Sequence, residues 1–320
     1  MNLNYFNKSA ICVILAFLNL TLGLAQPEGY AVLVGVSTTI ATNQKGQSFN
    51  NNATAGVDKD LEKMQKLLRA AKFKSENIKT LSTFSETKAS SILQSLKSLS
   101  AKAKTGDLIV FYFSGHGDTA TDFNKDELSG EDGVLVGSDE GIVDDLLRPI
   151  WNSYQAGVRL VMIVDACHSG ASYDFTFLEH QLVEVSATNR LIAIRNADHQ
   201  RTSATTALRN IRFSNEIKFN NSRQTFFTSC LQTARDPVKT YQMIYLAASH
   251  TASTTSGSAA GSLFTDALYR KARQADPNQP VRRTYRELME NLDTCPSKLS
   301  YAELGPLTQL FRTDYFLKIH

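Results

Sequence analysis

Two apolar runs in this chain end in the same kind of turn, and that coincidence limits the fold more than any other feature. Val161-Met162-Ile163-Val164 leads into Asp165-Ala166-Cys167-His168-Ser169-Gly170, and Leu108 through Phe113 leads into Ser114-Gly115-His116-Gly117. Short apolar runs rich in β-branched and aromatic residues read as strands buried on both faces, as in parallel sheets. In open α/β sheets, ligands bind at the C-terminal edge of the strands. Two neighbouring parallel strands would place a thiol and an imidazole side by side at that edge. A cysteine nucleophile needs that arrangement, with a base to take its proton and later hand it to a leaving amine.

Each residue alone has an ordinary explanation. A free cysteine at a strand end is commonly a small buried hydrophobe, and a histidine in a glycine turn commonly holds the turn together. The pair is harder to explain that way, because both turns are built from Gly and Ser. Glycine lets a substrate backbone approach closely and frees amide N–H groups to bind an oxyanion.

The rest of the chain supplies the elements of an α/β layer. Tyr30 to Val36 alternates and reads as the first strand. Val57, Leu61, Met64, Leu67, Leu68 and Ala71 recur at helical spacing, so a helix is predicted from Val57 to Phe73. Ile78 to Leu81 is a short strand, and Ser85-Glu86-Thr87 caps a second helix running to about Ala103. A long acidic loop follows the histidine turn, then a helix from about Val143 to Tyr154. Beyond the cysteine run the pattern fades between Phe175 and Arg223. Order returns with a strand at Met243 to Ala248, helices from about Ser262 to Ala275 and Thr284 to Leu292, and a last strand over the alternating Phe311 to Ile319. Strands alternating with amphipathic helices predict a mostly parallel sheet of about six strands between two helical layers.

The 320 residues suffice for one large α/β core. With 34 basic against 31 acidic side chains there is no basic stripe to suggest nucleic acid. The first residues differ from the rest: Lys8 precedes an uncharged apolar stretch from Ala10 to Leu24, followed by Ala25-Gln26-Pro27. This reads as a secretory signal peptide over residues 1–25, too short to span a membrane comfortably. The expected localisation is therefore exported, with no stable membrane association after cleavage. Cys12 lies in that segment, and Cys230 and Cys295 are candidates for a disulfide that would leave Cys167 free.

The two turns resemble the His and Cys motifs of metacaspases and their bacterial caspase-like relatives, and the resemblance extends from about Tyr30 to about Ala272. It implies a caspase-like three-layer α/β/α sandwich over residues 26–320. Residues 28–174 would carry the large-subunit-like part, 175–225 an insertion or processing linker, and 226–320 the small-subunit-like part. The implied chemistry is a cysteine endopeptidase with Cys167 as nucleophile and His116 as base and acid. The oxyanion would be held by the N–H groups of Gly117 and Cys167. His168 points the opposite way from its neighbour on an extended strand and is not expected to be the base.

The resemblance also implies an acidic pocket for the substrate residue preceding the cut, made by Asp165, Ser114 and Asp60. The last lies in Gly56-Val57-Asp58-Lys59-Asp60, where the family carries Gly-Cys-x-Asn-Asp. Two converging carboxylates would suit arginine or lysine, so the expected partners are proteins or peptides with a basic residue there. Calcium is a further implied ligand, at Asp144 and Asp145, although the preceding acidic element is shortened to Asp132-Gly133-Val134-Leu135-Val136. Two other readings stay open: a catalytically silent caspase-fold binding module, and a Cys-His hydrolase of a legumain-, gingipain- or clostripain-like branch.

Overall fold

The computed structural model describes residues 26–49, 55–123, 131–167, 231–236, 239–248, 257–273, 283–292 and 299–320. The signal-peptide segment, His168, the stretch 175–225, Cys230 and Cys295 lie outside the described residues. A central sheet of seven strands organises the rest, in the order β2-β1-β3-β7-β9-β12-β8. In chain order these are β1 (Gly29–Gly35), β2 (Ile78–Leu81), β3 (Leu108–Ser114), β7 (Arg159–Asp165), β8 (Leu231–Asp236), β9 (Gln242–Ala247) and β12 (Leu299–Leu304). The first five in spatial order run parallel, β12 is antiparallel to β9, and β8 runs parallel to β12. The mostly parallel sheet is as the sequence predicts, with one strand more than expected.

Every residue of β1, β3, β7 and β9 is buried, because helices cover both faces. Alternate side chains divide between two cores. Val32, Val34, Phe111, Phe113, Met162 and Val164 pack with Ile92 and Leu96 of helix α2 (Ala89–Lys102) and with Leu147 and Trp151 of α3 (Asp144–Asn152). Ala31, Leu33, Val110, Tyr112, Val161 and Ile163 pack with Met64 and Leu68 of α1 (Val57–Ala70), and with α4 (Leu263–Arg273) and α5 (Tyr285–Glu290). The period-2 alternation of a strand decides which core each residue enters.

Three local expectations need correction. The acidic stretch after His116 is not a plain loop. It folds into an antiparallel ribbon of β4 (Gly117–Thr121), β5 (Glu131–Val136) and β6 (Gly141–Val143), whose apolar Val134 and Val136 pack on Ala41. The alternation from Phe311 to Ile319 is not a strand. Thr308 caps a short helix, α6 (Gln309–Thr313), by accepting the amide of Phe311 at 3.1 Å, and Phe311 and Phe316 pack around Tyr285. The closing strands are instead β12 and β8. Helix α2, finally, is not capped by Ser85 or Thr87: the amide of Ala89 is accepted by Asp139 at 2.9 Å, a side chain fifty residues away.

At the edge of the sheet opposite the turns, buried Arg159 donates to Asp314 (3.1 Å), to the carbonyl of Lys318 (3.1 Å) and to that of Gly106 (3.1 Å). The last residues are thereby fixed to the start of β7. No helix among the described residues is long and apolar enough to cross a membrane.

Candidate active site

The parallel pairing of β3 with β7 runs in register to its last pair, Ser114 opposite Asp165. His116 follows β3 by two residues and Cys167 follows β7 by two, so both leave the sheet at the same C-terminal edge. The turns then touch. Gly115 donates its amide to the carbonyl of Asp165 at 3.2 Å. A Cβ placed on Gly117 would lie 2.0 Å from the carbonyl oxygen of Cys167. Only glycine lets the two turns approach so closely.

The surroundings of His116 hold its backbone and one face of its ring. Its carbonyl accepts the amide of Val136 at 3.0 Å, and the ring of Phe49 lies 5.7 Å away at a tilt of 30°. That amide-to-carbonyl bond makes Gly117 and its partner Leu135 a non-hydrogen-bonded pair of the antiparallel ladder. The N–H of Gly117 consequently points away from β5. Beside Phe49 a cavity of about 180 Å³ opens between the 41–44 loop and β4, lined also by Asp118, Thr119, Val134 and Val136. Cys167 is in no disulfide among the described residues and is partly exposed.

Asp60, Ser114 and Asp165 lie together beneath these turns. Ser114 donates to Asp60 Oδ2 at 3.2 Å. Both carboxylates are almost fully enclosed, at 1% exposure for Asp60 and 3% for Asp165. Burial raises the pKa of Asp60 to about 7, reinforced by the neighbouring charge of Asp165 and opposed by bonds from Ser262 and Ser114. Burial likewise raises that of Asp165, against its bonds from Ser262 and Thr265. Two carboxylates in one low-dielectric site cannot both ionise cheaply, and this is the electrostatic character of the site.

The sequence reading missed the other half of this cluster. Ser262, closing a hairpin of β10 (Gly257–Ser258) and β11 (Gly261–Ser262), gives its amide to Asp60 Oδ1 at 2.9 Å and its hydroxyl to Asp165 Oδ2. Thr265, at the start of α4, donates to Asp165 Oδ2 at 2.5 Å and bonds the hydroxyl of Tyr112 at 2.7 Å. Burial pushes the Tyr112 phenol well above its usual range. Lys63 ties α1 to this region through Asp266 (3.0 Å) and the carbonyl of Ala260 (3.0 Å). The one sequence signal available was the Gly-Ser-Leu-Phe-Thr start of a helix, which carries no mark of its distant partners.

The two residues implied for calcium open α3. Asp144 is buried in the first turn of α3, and Asp145 is ion-paired with Arg148. Among the described residues no three His, Cys, Asp or Glu side chains gather into a metal site. Asp126 and Glu127 of the acidic stretch lie outside the described residues.

The caspase domain, a cysteine-type peptidase family, matches residues 30–309. The chain belongs to this family. Among characterised proteins, metacaspase-2 of Arabidopsis thaliana is 44% identical over 84 residues, 23% of this chain and 19% of its own. Metacaspase-3 of the same plant is 33% identical over 166 residues, covering 46% of this chain and 41% of its own. Metacaspase-1 of Schizosaccharomyces pombe is 26% identical over 174 residues, 45% of this chain and 41% of its own. The chain thus spans well under half the length of these relatives. In three dimensions it is similar to a crystal structure from Geobacter sulfurreducens at a TM-score of 0.59 and 18% identity, covering 92% of this chain and 99% of the other. That likeness concerns the fold. In this caspase-domain chain the two turns, the close contact at Gly117 and the buried acidic pair all lie at one sheet edge.

Proposed function

We propose that this caspase-domain protein is an endopeptidase of the metacaspase type, cutting peptide bonds after arginine or lysine with Cys167 and His116 as its catalytic pair. The observation that carries the reading is the enclosed Asp60/Asp165 pair beneath the turns that hold these two residues. A guanidinium or ammonium group is the substrate feature that such a pair accommodates, whereas an acidic side chain would be repelled.

In this reading His116 takes the thiol proton and the Cys167 sulfur attacks the scissile carbonyl carbon. The new S–C bond forms as the carbonyl π electrons move onto oxygen, where the N–H of Gly117 receives the negative charge. The oxyanion collapses, the C–N bond breaks, and the leaving amine takes the proton from His116. A thioester remains. Water then attacks it with His116 again as base, releasing the acid and restoring the thiol. Phe49 lies against the imidazole, and the bond from Val136 holds the His116 backbone.

The test is a panel of fluorogenic peptides differing only in the residue before the cut: Arg, Lys, Asp and Asn, each with calcium and with EGTA. Arginine and lysine peptides are expected to be cleaved at least a hundredfold faster than the aspartate peptide, with turnover persisting in EGTA. A preference for aspartate would overturn the pocket assignment, and activity restored only by calcium would bring the acidic stretch into the site.

A further inference from the structure

Ser262 occupies a position that no other residue shares among the described ones. It is 202 residues from Asp60 and 97 from Asp165, yet it bonds both carboxylates, one with its amide and the other with its hydroxyl. The direction of those bonds is determined by its neighbours. The amide of Thr265 donates to Ser262 Oγ at 3.0 Å, which leaves the hydroxyl proton of Ser262 for Asp165. The Thr265 hydroxyl also donates to Asp165, so it accepts from Tyr112. Two hydroxyl donors therefore converge on one oxygen of Asp165.

The chain has taken some trouble to put Ser262 there. The hairpin lies against the start of α1, where a Cβ on Gly56 would come within 2.1 Å of the carbonyl oxygen of Ser258. A Cβ on Gly261 would come within 2.3 Å of Asp60 Oδ1, and Gly261 has φ +105°. Lys63 holds the hairpin from the other side by donating from its ammonium group to the carbonyl of Ala260 and pairing with Asp266. These contacts exclude a side chain at either glycine and leave Ser262 little freedom.

We propose that Ser262 is a specificity-determining positioning residue, which keeps Asp60 and Asp165 together as an anionic pair for the cationic side chain of the substrate. The inference rests on reading the pair as the pocket for the basic residue. The physical argument is charge balance. Asp60 is faced by Asp165 at the end of β7, Ser114 and Tyr112 on β3 and Lys63 on α1, which is itself paired with Asp266 on α4. Within this group the hydroxyls of Ser262 and Thr265 and the ammonium of Lys63 offset the burial of Asp165. Losing a charge-assisted donor makes the pair take up a proton more readily. A pair that holds a proton attracts a guanidinium less.

The experiment compares two peptides, one with arginine before the cut and one with citrulline, which keeps the shape without the charge. In Ser262→Ala the backbone amide remains and the hydroxyl is lost. The KM for the arginine peptide is expected to rise roughly tenfold, as expected for one hydrogen bond to a charged group. Turnover at saturation should change less than twofold, and the citrulline peptide should be nearly unaffected. The pH at which arginine binding improves should move upward, and Ser262→Thr should restore both. Should Ser262→Ala fail to fold, Ser262→Cys keeps the size and replaces a strong donor with a weak one. An unchanged arginine-to-citrulline ratio in these variants would overturn the inference alone. A wild type that does not favour arginine over citrulline would overturn the pocket reading with it.

Discussion

Cys167 and His116 stand two residues beyond two strands that are paired in register, so their proximity follows from backbone geometry. Acting as a unit, they should be non-additive. Cys167→Ala and His116→Ala are each expected to lower turnover by at least about 10³-fold, and the double variant scarcely more, because the residual rate comes from binding and the oxyanion donors. Single-turnover kinetics on the three variants checks this, and substantial activity in Cys167→Ala would end the assignment. Asp60 makes a second residue-level prediction. Its pKa is raised from 3.8 to about 7 by burial first and by Asp165 second. The folded state therefore binds its proton more tightly than the unfolded chain. Stability associated with this group is complete below the unfolded value and declines as pH rises toward 7, by up to about 4 kcal/mol at about 1.4 kcal/mol per unit. Asp60→Asn can accept the Ser262 amide with its oxygen and meet Ser114 with its nitrogen. It is expected to flatten the fall in stability between pH 4 and 7, measured by denaturant titration, while abolishing the preference for arginine peptides. If wild type and Asp60→Asn lose stability in parallel over that range, Asp60 does not carry the raised pKa.

At the scale of elements, α1 joins the two halves of the site. Its buried stripe of Val57, Leu61, Met64, Leu67 and Leu68 seats it on the sheet, and Asp60 on the same stripe is consequently turned inward. Helical periodicity makes the apolar stripe legible, but a carboxylate within it looks like an interruption until its partners are known. Gly56 opens the helix at φ +81° with no side-chain cap, a conformation that glycine adopts without strain. Gly56→Ala is expected to cost about 1–3 kcal/mol and to raise the KM for arginine peptides, since the added methyl displaces the hairpin that carries Ser262. Thermal melts beside kinetics check the two effects, and a loss of stability with unchanged KM would separate the hairpin from the pocket. The ribbon of β4 to β6 illustrates the limit of periodicity. Its strands have three to six residues and several acids, so local composition suggests a loop. Pairing partners and the small apolar floor at Ala41 decide otherwise.

At the scale of the whole molecule, the sheet order places β9 directly against β7, the strand that leads to Cys167. The chain between them contains Arg190, Arg195, Arg201, Arg209, Arg212, Lys218 and Arg223. An enzyme that cuts after basic residues is expected to cleave itself there, and the two pieces should remain associated because six register pairs join β7 to β9 across the cut. Incubating wild type beside Cys167→Ala, followed by N-terminal sequencing and gel filtration, tests both parts. A wild-type chain that stays whole while hydrolysing peptides would overturn the first, and separated pieces the second. By itself the sequence determined the strands that carry His116 and Cys167 and the helices that cover them. All of these are written in local periodicity and in short turn motifs. Only the tertiary structure decided that β12 and β8 close the sheet, that the acidic stretch forms a ribbon, and that Ser262 and Thr265 complete the acidic pair. Those outcomes depend on contacts between residues far apart in sequence, and hydrogen bonds across 97 and 202 residues leave no periodic trace at either end.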